Sequence, residues 1–322
     1  MRRVYLDQAE WIELSKATLG KSSDSELAET LEIARYGVQH GLVRFPLSST
    51  HYMETMGTRQ WRQREPLARV MGELSRYETV ADQRRLLDME LDLALRRRFG
   101  RPYVVRTVSV FGVGVAHAFG VPELDQVQSS DLRAYLDANP AQQEWFTKQR
   151  EEAMLAGPPE DFPLAWLRND THRPAAERFA AGQRDLAVEL RQAGFGKGRL
   201  PRALVATELA GILDRLNEAL ARAGLSADRL SGAEALTAFF MDLPTRRVTH
   251  EMLLARHRDP GQAWKANDLS DFAALGVAVP YCDIVVTERH WRGVLRAAHM
   301  DDVYSTVILD DVRELRSLLV AT

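Results

Sequence analysis

Residues 267–291 read NDLSDFAALGVAVPYCDIVVTERHW, and this stretch decides the fold class. Its spacing predicts a helix, a short turn and a buried strand. Asp268 and Asp271 lie three apart, so a helix places both on one face. Gly276 is expected to end that helix, and Pro280 to hold Val279 extended. Ile284, Val285, Val286 and Thr287 are β-branched throughout, as in a strand covered on both faces of a parallel sheet. Asp283 and Glu288 bracket the strand. Carboxylates crowded in this way repel one another unless a cation lies between them, and hard divalent ions such as Mg²⁺ and Mn²⁺ prefer oxygen ligands. Each acid also has a plainer role: Asp268 as a helix cap, Asp283 as the end of a turn.

Working outward, the front of the chain repeats the pattern. Val4–Leu6 is expected as a first strand ending in Asp7, followed by a helix with Trp11, Ile12, Leu14 and Ser15 on one stripe. An acid there occupies the ligand position of an open α/β sheet; its other role is an N-cap. After a helix over about Asp24–Gln39, Leu42–Pro46 is expected as a second strand. Ser48–Thr50 caps a helix carrying His51, Tyr52 and Glu54. Two strand–helix units in succession predict an α/β fold with a parallel sheet. Glu54 would point towards the same edge as Asp7, although a Glu in that position is more often solvated.

The segments VYLDQAEWIELSKA, FPLSSTHYMET and NDLSDFAALGVAVPYCDIVVTERHW resemble the three signature regions of PIN-domain nucleases, most closely the larger bacterial PIN-like proteins. The resemblance implies a parallel-sheet core whose acids hold Mg²⁺ or Mn²⁺ and cleave RNA, less often DNA. The first family acid falls on Asp7 and the second on Glu54. The third falls on Asp271 or Asp268, the fourth on Asp283 or Glu288. At the fourth position the family pattern of Thr followed closely by Asp is replaced by Thr287 and Glu288. Asp7 and Asp271 are then the expected direct ligands, with Glu54 and Asp283 completing the shell. Asp268 and Glu288 are left as outer or second-ion ligands. A core of residues 1–75 plus 240–322 and an all-helical insertion over 76–239 follow from the same likeness. So does an endoribonuclease activity, toxin-like or in anti-phage defence, with an inhibitory protein as a possible partner. The rival expectation is a non-catalytic PIN-like scaffold whose helical insertion binds a partner.

The insertion reads as helix over Gln63–Gly100, Ser130–Ala156, Pro174–Ala193 and Ala203–Ala223, with GPPEDFP at 157–163 as a break. Its GVG at 112–114 lacks the GK[ST] of a phosphate loop. Arg59 and Arg62 follow Glu54 closely, and Lys197, Arg199 and Arg202 sit in the Gly-rich GFGKGRLPR. These five are the expected contacts to nucleic-acid phosphates. Arg96, Arg97, Arg98 and Arg101 are expected on a solvated face. A last strand is expected over Val303–Leu309 and a closing helix over Val312–Leu319. Four scattered histidines, with no HxxxH spacing, argue against a histidine zinc site.

Composition narrows the class. With 42 basic and 45 acidic residues the net charge is −3, so any nucleic-acid binding must rest on local patches. The single cysteine, Cys282, excludes an internal disulfide and a cysteine zinc cluster, and is expected as a packed residue. No apolar run has membrane-helix length, and no signal-peptide core is visible at the N-terminus, which sets a cytoplasmic location as the expectation.

Overall fold

In a computed structural model the described residues are 1–20, 23–58, 60–121, 130–158, 172–196, 198–259 and 261–320. They form an α/β structure, mostly helical, around a small parallel sheet. Strands β1 (Arg2–Leu6), β2 (Val43–Arg44), β5 (Ile284–Val286) and β6 (Val307–Leu309) lie in the order β2-β1-β5-β6, all parallel. β3 (Glu78–Val80) and β4 (Phe111–Val113) form a separate antiparallel pair. Leu47, just beyond β2, bridges Thr79 in parallel and ties the two sheets together.

β5 is buried along its whole length, and β1 over Val4–Leu6, as expected of the central strands of a parallel sheet covered on both faces. Val4, Leu6, Ile284 and Val286 face one hydrophobic cluster with Trp11, Leu31 and Met71. Tyr5, Val285 and Ile308 face the other, with Phe272, Ala278 and Trp291. This alternation is the two-residue period of a strand.

Three expectations need correcting. First, the helix Asp268–Tyr281 runs through both Gly276 and Pro280. Pro280 lies in its last turn, and Val277, Ala278 and Val279 are buried there, which outweighs the local preference of Val279 for extended backbone. Gly276 is not a break. A Cβ there would stand 2.1 Å from Gln83 Nε2 and 2.6 Å from Thr249 Oγ1. Gln83 uses the space to donate to the carbonyls of Phe272 at 2.7 Å and Ala273 at 3.2 Å.

Second, the segment 76–239 is not all helical, since it contains β3 and β4. The run expected as one helix over Gln63–Gly100 is two, Trp61–Ser75 and Gln83–Phe99. Between them Arg76 and Tyr77 are left-handed, with no Gly or Pro at either position. The turn instead depends on Gly72, whose missing side chain admits the Tyr77 ring, and on Ser75 Oγ accepting from Tyr77 N–H at 2.9 Å. Third, the expected strand over Val303–Leu309 is the end of a short helix, Met300–Tyr304, followed by β6. No described helix is long and apolar enough to cross a membrane.

Gly276→Ala is therefore expected to destabilise the protein by about 1–3 kcal/mol, the range for an overpacked core. A melting temperature lowered by a few degrees in differential scanning fluorimetry would bear this out; an unchanged one would show that Gln83 and Thr249 give way freely.

Candidate functional site

The carboxyl ends of β1 and β5 open into a cavity of about 1490 Å³. Asp7 follows β1 directly and caps the helix Gln8–Thr18, accepting from Gln8 N–H at 2.7 Å. Its other oxygen accepts from Thr287 Oγ1 at 3.4 Å. Glu288 stands just past β5, Glu54 on the helix Ser49–Gly57, and Asp271 one turn into the helix Asp268–Tyr281. All four line the same cavity. Trp291 Nε1 donates to Asp271 Oδ2 at 2.9 Å and fixes that carboxylate.

Burial and mutual repulsion act together here. Burial pushes Glu54 up to about 7, with Asp7 and Glu288 adding to the rise and Ser270 opposing it. Burial likewise pushes Asp271 up to about 8, opposed by Trp291 and reinforced by Asp7, Glu288 and Glu54. Asp7 is raised by burial first and then by Glu288, against the bonds from Gln8 and Thr287. Every pair among the four repels. Glu10, one turn after Asp7, is raised to about 7, by burial first, although it accepts from Val312 N–H at 3.1 Å.

A buried polar frame holds two of the acid-bearing elements together. His51 Nδ1 accepts from Ser48 N–H at 3.0 Å, so its Nε2 carries the proton and donates to the Leu6 carbonyl at 2.9 Å. Burial drives the imidazole down to about 3, and it stays neutral at physiological pH. Its ring stacks on Tyr5 at 5.1 Å, and Tyr5 Oη reaches Ser48 Oγ at 3.1 Å. The end of β1, where Asp7 begins, is thus bonded to the first turn of the helix that carries Glu54. His51 sits three residues after the capping Ser48, where a capping box ordinarily has Glu or Gln; that spacing was the signal for it.

Two expected site residues lie elsewhere or are already engaged. Asp283 is at the opposite end of β5, where its Oδ2 accepts from Arg3 N–H at 2.7 Å. It takes no part in the cluster, because a parallel strand delivers only its carboxyl end to the cavity and that end is Glu288. Asp268 lines the cavity but is paired with Arg256 Nη2 at 2.8 Å and accepts from Lys265 N–H at 2.9 Å. Its charge is therefore neutralised.

Arg62, Arg199 and Arg202 are exposed and do not line the cavity. Arg59 and Lys197 lie outside the described residues. Arg96, Arg97, Arg98 and Arg101 are exposed, as expected, and Arg97 and Arg98 reach the Asp242 carbonyl and carboxylate at 2.7 and 2.6 Å.

Among the described residues, no three His, Cys, Asp or Glu side chains stand as an assembled metal-binding group. In donor chemistry the four cavity acids fit a hard divalent cation: they offer carboxylate oxygens only. Comparison with protein-family models, with curated proteins and with solved structures found no match for the chain.

These raised acids carry a pH signature. A carboxyl raised in the folded state is more protonated there than in the unfolded chain, so its contribution favours folding at low pH and fades as pH rises through the folded value. Glu54 places that loss between about pH 4.5 and 7, and Asp271 between about pH 3.8 and 8. The melting temperature in metal-free buffer is expected to fall across these windows. Glu54→Gln should flatten the fall and raise the value at pH 8 by about 2 °C or more. A profile identical to wild type would mean that Glu54 is not strained by its neighbours.

Proposed function

We propose that this cavity is the active site of a metal-dependent phosphodiester hydrolase with a PIN-like core, most simply an endoribonuclease. One observation carries this: four carboxylates from separate segments line one cavity at one sheet edge and repel one another, and among the described residues no arginine or lysine pairs with any of them. Asp7, Glu54, Asp271 and Glu288 are the residues that would hold Mg²⁺ or Mn²⁺. The bound ion would supply charge neutralisation at the phosphate oxygens and a lowered pKa for water. The chain's own contribution is orientation. Trp291 holds Asp271, Gln8 N–H and Thr287 hold Asp7, and Ser270 eases the charge on Glu54. Because burial keeps Glu54 and Asp271 partly protonated near neutral pH, ion binding must release protons and tighten as pH rises.

A second proposal, a PIN-like scaffold without catalysis, draws on Asp7's engagement as a helix cap and on the lack of an assembled metal group among the described residues. The pure protein, incubated with total RNA, single-stranded DNA and duplex DNA with and without Mn²⁺, separates the two. Hydrolysis that needs Mn²⁺ and stops with EDTA is the expected result. Asp7→Asn should lose about 100-fold or more, at least the cost of disturbing a metal's surroundings. Asp283→Asn should stay within about twofold of wild type, as for a surface change. Full activity in Asp7→Asn, or no cleavage and no thermal stabilisation by Mn²⁺, would favour the scaffold.

A further inference from the structure

The cavity walls carry six carboxylates and three side-chain cations, Arg173, Arg256 and Lys265. Two of the cations are matched to acids in the same walls: Arg256 to Asp268 at 2.8 Å, and Arg173 to Glu177 at 3.0 Å. Removing these pairs leaves Asp7, Glu54, Asp271 and Glu288 against Lys265. Its side chain is exposed and makes no ion pair with any described residue. We infer that Lys265 is the substrate-gripping cation of this site, holding a phosphate that neighbours the reacting one.

The backbone around Lys265 is anchored on every side. Its own N–H donates to Asp268 Oδ2 at 2.9 Å, and its carbonyl accepts from Asp268 N–H at 3.2 Å. The Ala263 carbonyl accepts from Arg256 Nη2 at 2.8 Å and the Trp264 carbonyl from Arg184 Nη1 at 3.4 Å. Trp264 is buried beneath it, packed against Phe179, Phe272 and the Arg256 guanidinium. A lysine on a fixed base loses only side-chain freedom when it binds, so less of its attraction for an anion is offset by ordering. The Asp268–Arg256 pair thereby acquires a role different from metal binding. It ties the lysine's loop to the helix that presents Asp271, fixing the free cation relative to the acids.

The ligand class follows from charge. Acids outnumber cations in the described cavity walls, even with Glu54 and Asp271 partly protonated, and this disfavours an anion alone, so one phosphate would enter with a metal ion. Lys265 then needs a second phosphate on the same molecule. The site takes an oligonucleotide rather than an isolated phosphate monoester. This assignment rests on the hydrolase proposal for the chemistry at the acids, but its test reads binding separately.

Binding of a fluorescein-labelled 12-nucleotide single-stranded RNA by the full chain, with Ca²⁺ in place of Mn²⁺, is to be followed by anisotropy over a range of salt. Lys265→Ala should weaken binding about 10-fold and lower the magnitude of the salt slope by about one, the signature of one lost phosphate contact. Lys265→Arg should restore most of both, and the melting temperature should stay unchanged. In Mn²⁺ kinetics the alanine variant should raise KM with kcat nearly constant. Wild-type affinity and slope in Lys265→Ala would overturn the assignment, as would a wild-type protein that binds no RNA at all. RNA that binds through Lys265 but is never cleaved would leave the assignment standing and remove the hydrolase proposal instead.

Discussion

The parallel pairing of β1 with β5 is the constraint on which the rest of the structure depends. Val4, Tyr5 and Leu6 lie beside Ile284, Val285 and Val286, and Asp7 N–H donates to the Val286 carbonyl at 2.9 Å. That register brings Asp7 level with Thr287 and delivers Asp7 and Glu288 to the same edge. Because side chains alternate, a slip of one residue would exchange the two hydrophobic faces of β5, moving Val285 out of the cluster it shares with Phe272 and Trp291. Core packing and site assembly are therefore specified by the same few hydrogen bonds.

Elsewhere in the molecule buried carboxylates are answered. Glu90 accepts from Thr245 N–H, Thr245 Oγ1 and Tyr281 Oη, and Asp92 is held between Arg106 and Arg222. Asp268 has Arg256. Asp7, Glu54, Asp271 and Glu288 are the exception: neutral donors steady the first three, but among the described residues no arginine or lysine pairs with any of the four. Gathering like charges away from water is unfavourable. This fold does so at the carboxyl edge of its sheet while matching other buried acids with donors or cations, and so concentrates that unfavourable energy in one cavity.

Much of this was legible in the residues. The apolar run Ile284–Val286 reads as the doubly buried strand it is, and Asp7, Glu54 and Asp271 were assigned to the edge where they are found. Of the two acids that bracket β5, Glu288 lines the cavity and Asp283 does not, a difference that strand direction carries, since ligands gather at carboxyl ends. The unbroken helix across Gly276 and Pro280 was not legible, because it depends on Gln83 and Thr249, distant in sequence, filling the space beside Gly276. The turn at Arg76–Tyr77 was hidden for a similar reason: what permits it is the absence of a side chain at Gly72. Nothing in the sequence distinguishes Lys265, a single charge in a mixed segment. Its distinction arises only when the neighbouring Arg256 is seen to be consumed by Asp268.

The claim at the centre of this account is that the four cavity carboxylates share a divalent cation. Anomalous diffraction at the manganese edge, from crystals grown with Mn²⁺, tests it most directly. The account predicts a peak bounded by Asp7, Glu54, Asp271 and Glu288. A well-ordered cavity with no anomalous peak, or a peak only at Asp283 on the far end of β5, would contradict it.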